Sequence, residues 1–203
     1  MSINYFLLVS PSGVIIGPGS QAATQKVTTF SGNPPVQTTT TQPLPLPANC
    51  IPCTQTQAET WQTLEYVGGA LQTIPAAAQL QAAQTAQRTL ITASAVAAMT
   101  GGFQSSALGA AYTYPSTLTD QHNLSGSVVA SLLPNLPSTW TTPFWCQDSA
   151  GTWAMVQHTA AQIQQVGLDE KAWIVSCQEK LAGLNAQIAA AQTVSGVQAI
   201  TFS

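Results

Sequence analysis

The sequence predicts an α+β fold: an extended β/polyproline N-terminal arm, a helical middle, and a compact C-terminal domain in which a small β-hairpin packs with helices. Three observations carry this. Residues 1–54 hold a single charge, Lys26, and eight of the thirteen prolines, a composition that buries little of itself. From Ala58 onward apolar residues recur at spacings of three and four, the period of one helix face. Late in the chain, "PFWCQDSAGTWAMV" places two aromatic-rich runs around "DSAG", the pattern of a hairpin. The divisions are therefore a docking arm over 1–57, a helical segment over 58–101 and a compact domain over 102–203.

In chain order, "YFLLV" and "VII" flank "SPSG", which suits a short hairpin. The run "TTFSGNPPVQTTTTQPLPLPANCIP" has no period and favours extended or polyproline backbone. "AETWQTLEYVGGALQTI" reads as a short helix ended by Pro75, and "AAAQLQAAQTAQRTLITASAVAAM" as a longer one ended by Gly101-Gly102. Ala83, Ala86, Leu90, Ala93 and Ala97 give the longer helix a narrow stripe suited to close packing. "GFQSSALGAAYTYP" reads as strand or turn, and a helix starts near Thr119 and stops at Pro134. After the aromatic hairpin, "QHTAAQIQQVG" forms a helix that Gly167 ends. "LDEKAWIVSCQEKLAGLNAQIAAA" forms another, with Asp169 and Glu170 at its dipole-favoured N-terminus. Ile174, Cys177, Leu181, Leu184 and Ile188 make a continuous seam on it, so Leu184→Asp is expected to break the domain.

Only 5% of the residues are charged while 45% are hydrophobic, so Thr, Gln, Ser and Asn must solvate the surface. A net charge of −3 gives no field to steer nucleic acid or anionic lipid, which excludes a nucleic-acid partner. Low charge also removes repulsion between copies and favours assembly. The apolar N-terminus has no basic residue ahead of it and is interrupted by Pro11 and Gly13, so it does not read as a secretory signal. No run approaches the ~20 apolar residues that cross a bilayer. A soluble protein made in the cytoplasm is expected, with its four cysteines not paired by default.

The chemical candidates each meet a plainer account. Cys50 and Cys53 have the spacing of half a zinc site or a redox pair, and Cys146 with Cys177 would complete four thiolates. Cys146 and Cys177 sit in apolar runs, where a thiol packs as a small hydrophobe. His158, Asp120 and a serine could be arranged as a triad, but no G-x-S-x-G turn is present. A histidine opening the helix after a hairpin more simply bonds a backbone carbonyl or an Asp side chain. Glycoside chemistry needs two carboxylates roughly 5–9.5 Å apart. Asp148 belongs to the "DSAG" turn, and Asp169, Glu170 and Glu179 are accounted for by helix ends and solvated faces. Trp140, Trp145 and Trp153 read either as hairpin core or as a sugar-binding surface. Neither an enzyme nor a cofactor is expected.

The runs "GFQSSALGAAYTYPSTLTDQHNLSGSV", "FWCQDSAGTWAMVQHTAAQIQQVG" and "LNAQIAAAQTVSGVQAI" resemble an uncharacterised C-terminal domain common in tailed-bacteriophage tail-fibre, virion and tail-fibre assembly proteins. The similarity covers roughly residues 77–200, and its signposts are Gly102-Phe103, Tyr112 to Pro115, Asp120-Gln121, Asn123, Trp153, His158, Gln162 and Gly167. The resemblance implies a structural component of a phage tail or appendage, located in the virion, with other tail or baseplate proteins as partners. Homo-oligomerisation follows as an expectation, with three-fold symmetry the guess from tail fibres in general. The arm is expected to dock by backbone hydrogen bonds, which need no charge. Two rivals stand beside this reading: a tail-fibre assembly chaperone, and a host-receptor-binding tip that contacts a surface glycan through tryptophans.

Overall fold

The N-terminal apolar run forms β1 (Ile3–Val9), which turns back into β2 (Ile15–Ala22). The computed structural model describes residues 3–12, 14–31 and 36–203. Within them every strand pairing is antiparallel, and helices and strands mix as in an α+β protein. The chain divides into two compact units, Met1–Gln79 and Leu80–Ser203. The division falls inside the middle segment that the helical pattern had outlined.

In the first unit, β3 (Thr24–Ser31) pairs with β4 (Val36–Pro43) as an isolated two-stranded ribbon. The run takes the extended backbone that its sequence suggests, over these strands as a paired ribbon and not as polyproline, and its residues 32–35 lie outside the described ones. The reason is cross-strand: threonines face one another in register, with Thr28 Oγ1 and Thr39 Oγ1 3.1 Å apart, and β-branched side chains favour the pleat. β5 (Cys50–Cys53) joins the other edge of β1, giving the order β2-β1-β5. Among the described residues of this unit, Phe6, Leu7 and Ala58 are the buried apolar ones.

Residues 58–74 do not form the expected helix. α1 (Gln55–Glu59), opened by a Thr54/Gln57 capping box, gives way to a 3-10 turn at Trp61–Thr63 and then to a hairpin of β6 (Leu64–Val67) and β7 (Ala70–Thr73). Gly68 and Gly69, both at positive φ (60° and 87°), supply the left-handed two-residue turn that matches strand twist, and this beats the modest helix propensity of the flanking residues.

The second unit is built on α2 (Ala76–Thr100), β8 (Phe103–Ser105), β9 (Tyr112–Tyr114), α3 (Leu118–Ser131), β10 (Thr141–Gln147), β11 (Trp153–Thr159), α4 (Ala160–Ala190) and α5 (Val194–Gln198). The strands form one sheet in the order β11-β10-β9-β8. β10 alternates, with Phe144 and Cys146 inward and Trp145 outward, as a half-buried strand must.

One helix, not two, follows the hairpin. Gly167 does not end it, because a Cβ at that position would lie 2.7 Å from Val128 Cγ2 of α3: the glycine marks where α3 and α4 touch. The resulting helix of 31 residues is about 46 Å long and serves two cores. Its first half buries Ile163 and Val166 against Phe103, Tyr114, Leu124, Phe144 and Cys146. Its second half buries Ile188 against Ile91 of α2 and Val197 of α5, with Leu181 and Leu184 packed alongside. Each fully buried aliphatic chain contributes about 1.5–3 kcal/mol.

α2 is turned differently from its small-residue stripe. Ala86, Leu90, Ala93 and Ala97 are exposed, whereas Gln87, Ile91 and Ala95 are buried. Two glutamine amides set this rotation: Gln87 Nε2 donates to Ile200 O at 2.6 Å and Gln84 Nε2 to Ile188 O at 3.0 Å. At the other end of the helix pair, Trp173 Nε1 donates to Ala98 O at 3.2 Å.

Candidate functional site

A hydrogen-bonded polar pair is sealed inside the second unit. Tyr114 and His158, from β9 and β11, are both fully buried, with Tyr114 Oη 2.9 Å from His158 Nε2 and His158 Nδ1 2.9 Å from Val156 O. A carbonyl can only accept, so Nδ1 carries the proton and Nε2 accepts from the tyrosine hydroxyl. Phe103 stacks on Tyr114 at 5.5 Å between ring centroids. Burial lowers the His158 pKa, against a smaller upward effect of the Val156 carbonyl. Burial, reinforced by the Cys146 thiol, pushes the Tyr114 phenol far above its usual range. Both groups are held neutral and away from solvent, so the pair ties the sheet together instead of moving protons to a substrate.

The signature residues take local structural posts. Asp120 and Gln162 are the third residues of α3 and α4, where each closes a capping box with Thr117 and Thr159. Tyr112 packs against the first core, and Gly167 is the α3/α4 contact point. Trp153 opens β11 with 45% of its surface exposed. The imagined triad does not gather: Asp120 serves its cap, and His158 is occupied by Tyr114 and Val156.

The cysteine pair cannot chelate as half a zinc site. Cys50 and Cys53 bracket a strand, and residues three apart on a strand point to opposite faces roughly 10 Å apart. The same spacing is too long for a local disulfide. Cys146 and Cys177 are buried free thiols. Among the described residues no group of three or more His, Cys, Asp or Glu could hold a metal ion. Asp148 does close the hairpin turn, its Oδ1 accepting from Ala150 N and Thr152 N, each at 2.9 Å.

Glu170 is the residue that sequence reasoning misplaced. Because α4 runs on through Gly167, Glu170 lies mid-helix, 7% exposed, not at a solvated helix start. Its Oε1 has no hydrogen-bond partner; burial first and the Asp120 carboxylate second raise its pKa. It lines a groove of ≈ 600 Å³ between α3 and α4, together with Leu124, Val128, Leu132, Leu168 and Ile174. Of the tryptophans, Trp140 packs on the core, while Trp145 (48% exposed) lies beside Met155 on the outer face of the β10/β11 hairpin, two residues from Trp153. Among the described residues no helix is long and apolar enough to cross a membrane.

No curated protein and no solved structure matches this chain. A family model does, and its span takes in α2 through α5, with the Tyr114–His158 pair, both capping boxes, Gly167 and the Glu170 groove inside it. The model described as Domain of unknown function (DUF4376) matches residues 74–201, more than half of the chain, and the protein belongs to that family.

Proposed function

We propose that this chain is a structural component of a bacteriophage tail or tail appendage, a fibre or fibre-attachment protein that docks on other tail or baseplate proteins through its N-terminal unit and self-associates. It would be made in the host cytoplasm, reside in the virion and catalyse nothing. The observation that carries the docking role is the β3/β4 ribbon. Apart from half-buried Val27, its described side chains over 24–29 and 37–43 are exposed, and a lone two-stranded ribbon is marginal in water. Each of its strands keeps one edge of unpaired N–H and C=O groups, a template for strand addition by a neighbouring protein. A chain with only 5% charged residues suits permanent packing against other subunits. The resemblance borne by Tyr112 to Pro115, Asp120-Gln121 and His158 supplies the phage setting. To test docking, Thr24–Pro43 is replaced by a short Gly/Ser loop and gradient-purified particles are blotted for the chain. The reading expects a soluble variant absent from particles; incorporation at the parental level would overturn it.

A second reading, the host-receptor tip, is favoured by the exposed Trp145, Met155 and Trp153, since aromatic faces at a surface suit sugar rings. Trp145→Ala with Trp153→Ala would then abolish adsorption while leaving particle composition intact. Unchanged adsorption removes this reading.

A further inference from the structure

Inside the second unit, Glu170 has an oxygen that nothing receives. The residue is 7% exposed, and its Oε1 is sealed from solvent without a hydrogen-bond partner. The two glutamine amides that line the α3/α4 groove with it are turned elsewhere. Gln121 Nε2 donates to Ser116 O and Gln164 Nε2 to Ser131 Oγ, each at 3.0 Å. On α3, Asp120 faces Glu170 with a charge of the same sign, while His122 is exposed. On α4, Asp169 and Lys171 flank it, but consecutive helix residues point about 100° apart. Asp169 accepts from Gln165 Nε2 at 2.8 Å, and Lys171 is exposed. Strands β8 to β11 bring Tyr112, Tyr114, Cys146 and His158 but no carboxylate, lysine or arginine, and α2 carries Arg88, exposed near its middle. A carboxyl so placed is tolerable with its proton on and costly as an anion.

Of the elements around it, α3 is the one held most lightly. The strands are tied to one another by backbone hydrogen bonds, and α4 is buried in two cores. α3 buries only Leu124 and Ser131 along its 14 residues. Its two connections also allow it to move. Ser116 Oγ donates to Met99 O at 2.6 Å and pins the chain just ahead of α3, and after α3 residues 132–140 form neither helix nor strand. We infer that α3 is a proton-controlled cover, closed on α4 while Glu170 is protonated and swung away once that carboxyl ionises, with Ser116 and the 132–140 loop as its hinges. Opening brings water to the carboxylate and uncovers Ile163 and Val166 of the first core. Burial first and Asp120 second raise the pKa of the closed form above 4.5. Closure is therefore complete below 4.5 and is lost as pH rises through the closed-form value. None of this depends on the phage assignment.

The test is hydrogen–deuterium exchange of the full-length chain across mildly acid to mildly alkaline pH, corrected for the intrinsic pH dependence of amide exchange. Mass spectrometry reads peptides from α3 and from the first half of α4. Protection of α3 is expected to fall as pH rises and then to level off, about tenfold for each unit by which the closed carboxyl's pKa exceeds the open one. The first half of α4 is expected to keep its protection. In Glu170→Gln, which keeps the shape without the charge, the fall is expected to vanish. In Asp120→Asn, whose amide oxygen can still close the cap, it is expected to shrink, because no facing charge holds the proton on Glu170. A pH-independent α3 overturns the inference. So does a fall that survives Glu170→Gln, or a loss of α3 and α4 protection together.

Discussion

α4 contains two glycines with opposite prospects, and replacing each by alanine gives a sharp test of how α3 and α4 pack. A glycine within a helix costs about 1 kcal/mol relative to alanine. At Gly183 a Cβ would have nothing within 4 Å, so Gly183→Ala is expected to stabilise by roughly 0.5–1 kcal/mol. At Gly167 the new methyl would lie 2.7 Å from Val128 Cγ2, about 1 Å inside ordinary carbon contact. Val128 cannot easily yield: a valine in a helix has one strongly preferred rotamer, and this one packs against the first core. Overpacking of this kind costs about 1–3 kcal/mol, which outweighs the helix gain and leaves Gly167→Ala destabilised by roughly 1 kcal/mol. The assay is equilibrium urea unfolding followed by the far-ultraviolet helical signal, with both variants read in the same transition. The expected gap between the two substitutions is about 2 kcal/mol. A double-mutant cycle of Gly167→Ala with Val128→Ala should return a favourable coupling of about 1 kcal/mol or more, since truncating Val128 relieves the clash whatever it costs the core by itself. Equal stabilisation by both alanines would refute the close approach of α3 to α4.

Three further outcomes follow from the same geometry. Tyr114→Phe strips His158 Nε2 of its 2.9 Å donor and should cost about 1–3 kcal/mol in urea unfolding, the price of a buried acceptor left unmet. His158 and Glu170 should give stability slopes of opposite sign. For His158, burial lowers the folded pKa below 6.5, so its contribution is complete above 6.5 and is lost as pH falls through the folded value. For Glu170, with Asp120 of α3 facing it, the folded pKa lies above 4.5, so its contribution is complete below 4.5 and is lost as pH rises through the folded value. Unfolding measured against pH in dilute solution should therefore lose its acid-side fall in His158→Asn. Glu170→Gln should be more stable than the parent at neutral pH, and a parental pH profile in either variant contradicts the assignment. Finally, Thr159→Ala removes the side chain that caps Gln162 N and should lower the stability of the α4 unit by about 1 kcal/mol, read as a fall in Tm.

Much of the second unit was legible because its signals are local. "TLTD" and "TAAQ" are capping boxes, "DSAG" is a turn whose aspartate bonds its own backbone, and Pro75 and Gly101-Gly102 bound α2. The misreadings share a cause, in that a residue with a local meaning was recruited by a distant neighbour. Gly167 has the look of a helix stop until Val128 is known to press on it. Glu170 was assigned to a helix start for the same reason. The inward face of α2 could not be read from its alanines, which differ little from one another, and was decided by Gln84 and Gln87 reaching Ile188 and Ile200. The β6/β7 hairpin is a different case: Gly68-Gly69 between two four-residue runs is a recognised turn signal, outweighed by the helix-like composition around it. The Tyr114–His158 bond joins residues 44 apart, and no spacing rule points to it.

The central claim is that this chain is a built-in part of a phage particle. Quantitative mass spectrometry of gradient-purified virions, comparing its copy number with that of the major tail protein, addresses this most directly. The account predicts a fixed ratio of several copies per particle across independent preparations. Absence from virions with abundance in the infected-cell lysate would contradict it and make the chain an assembly factor.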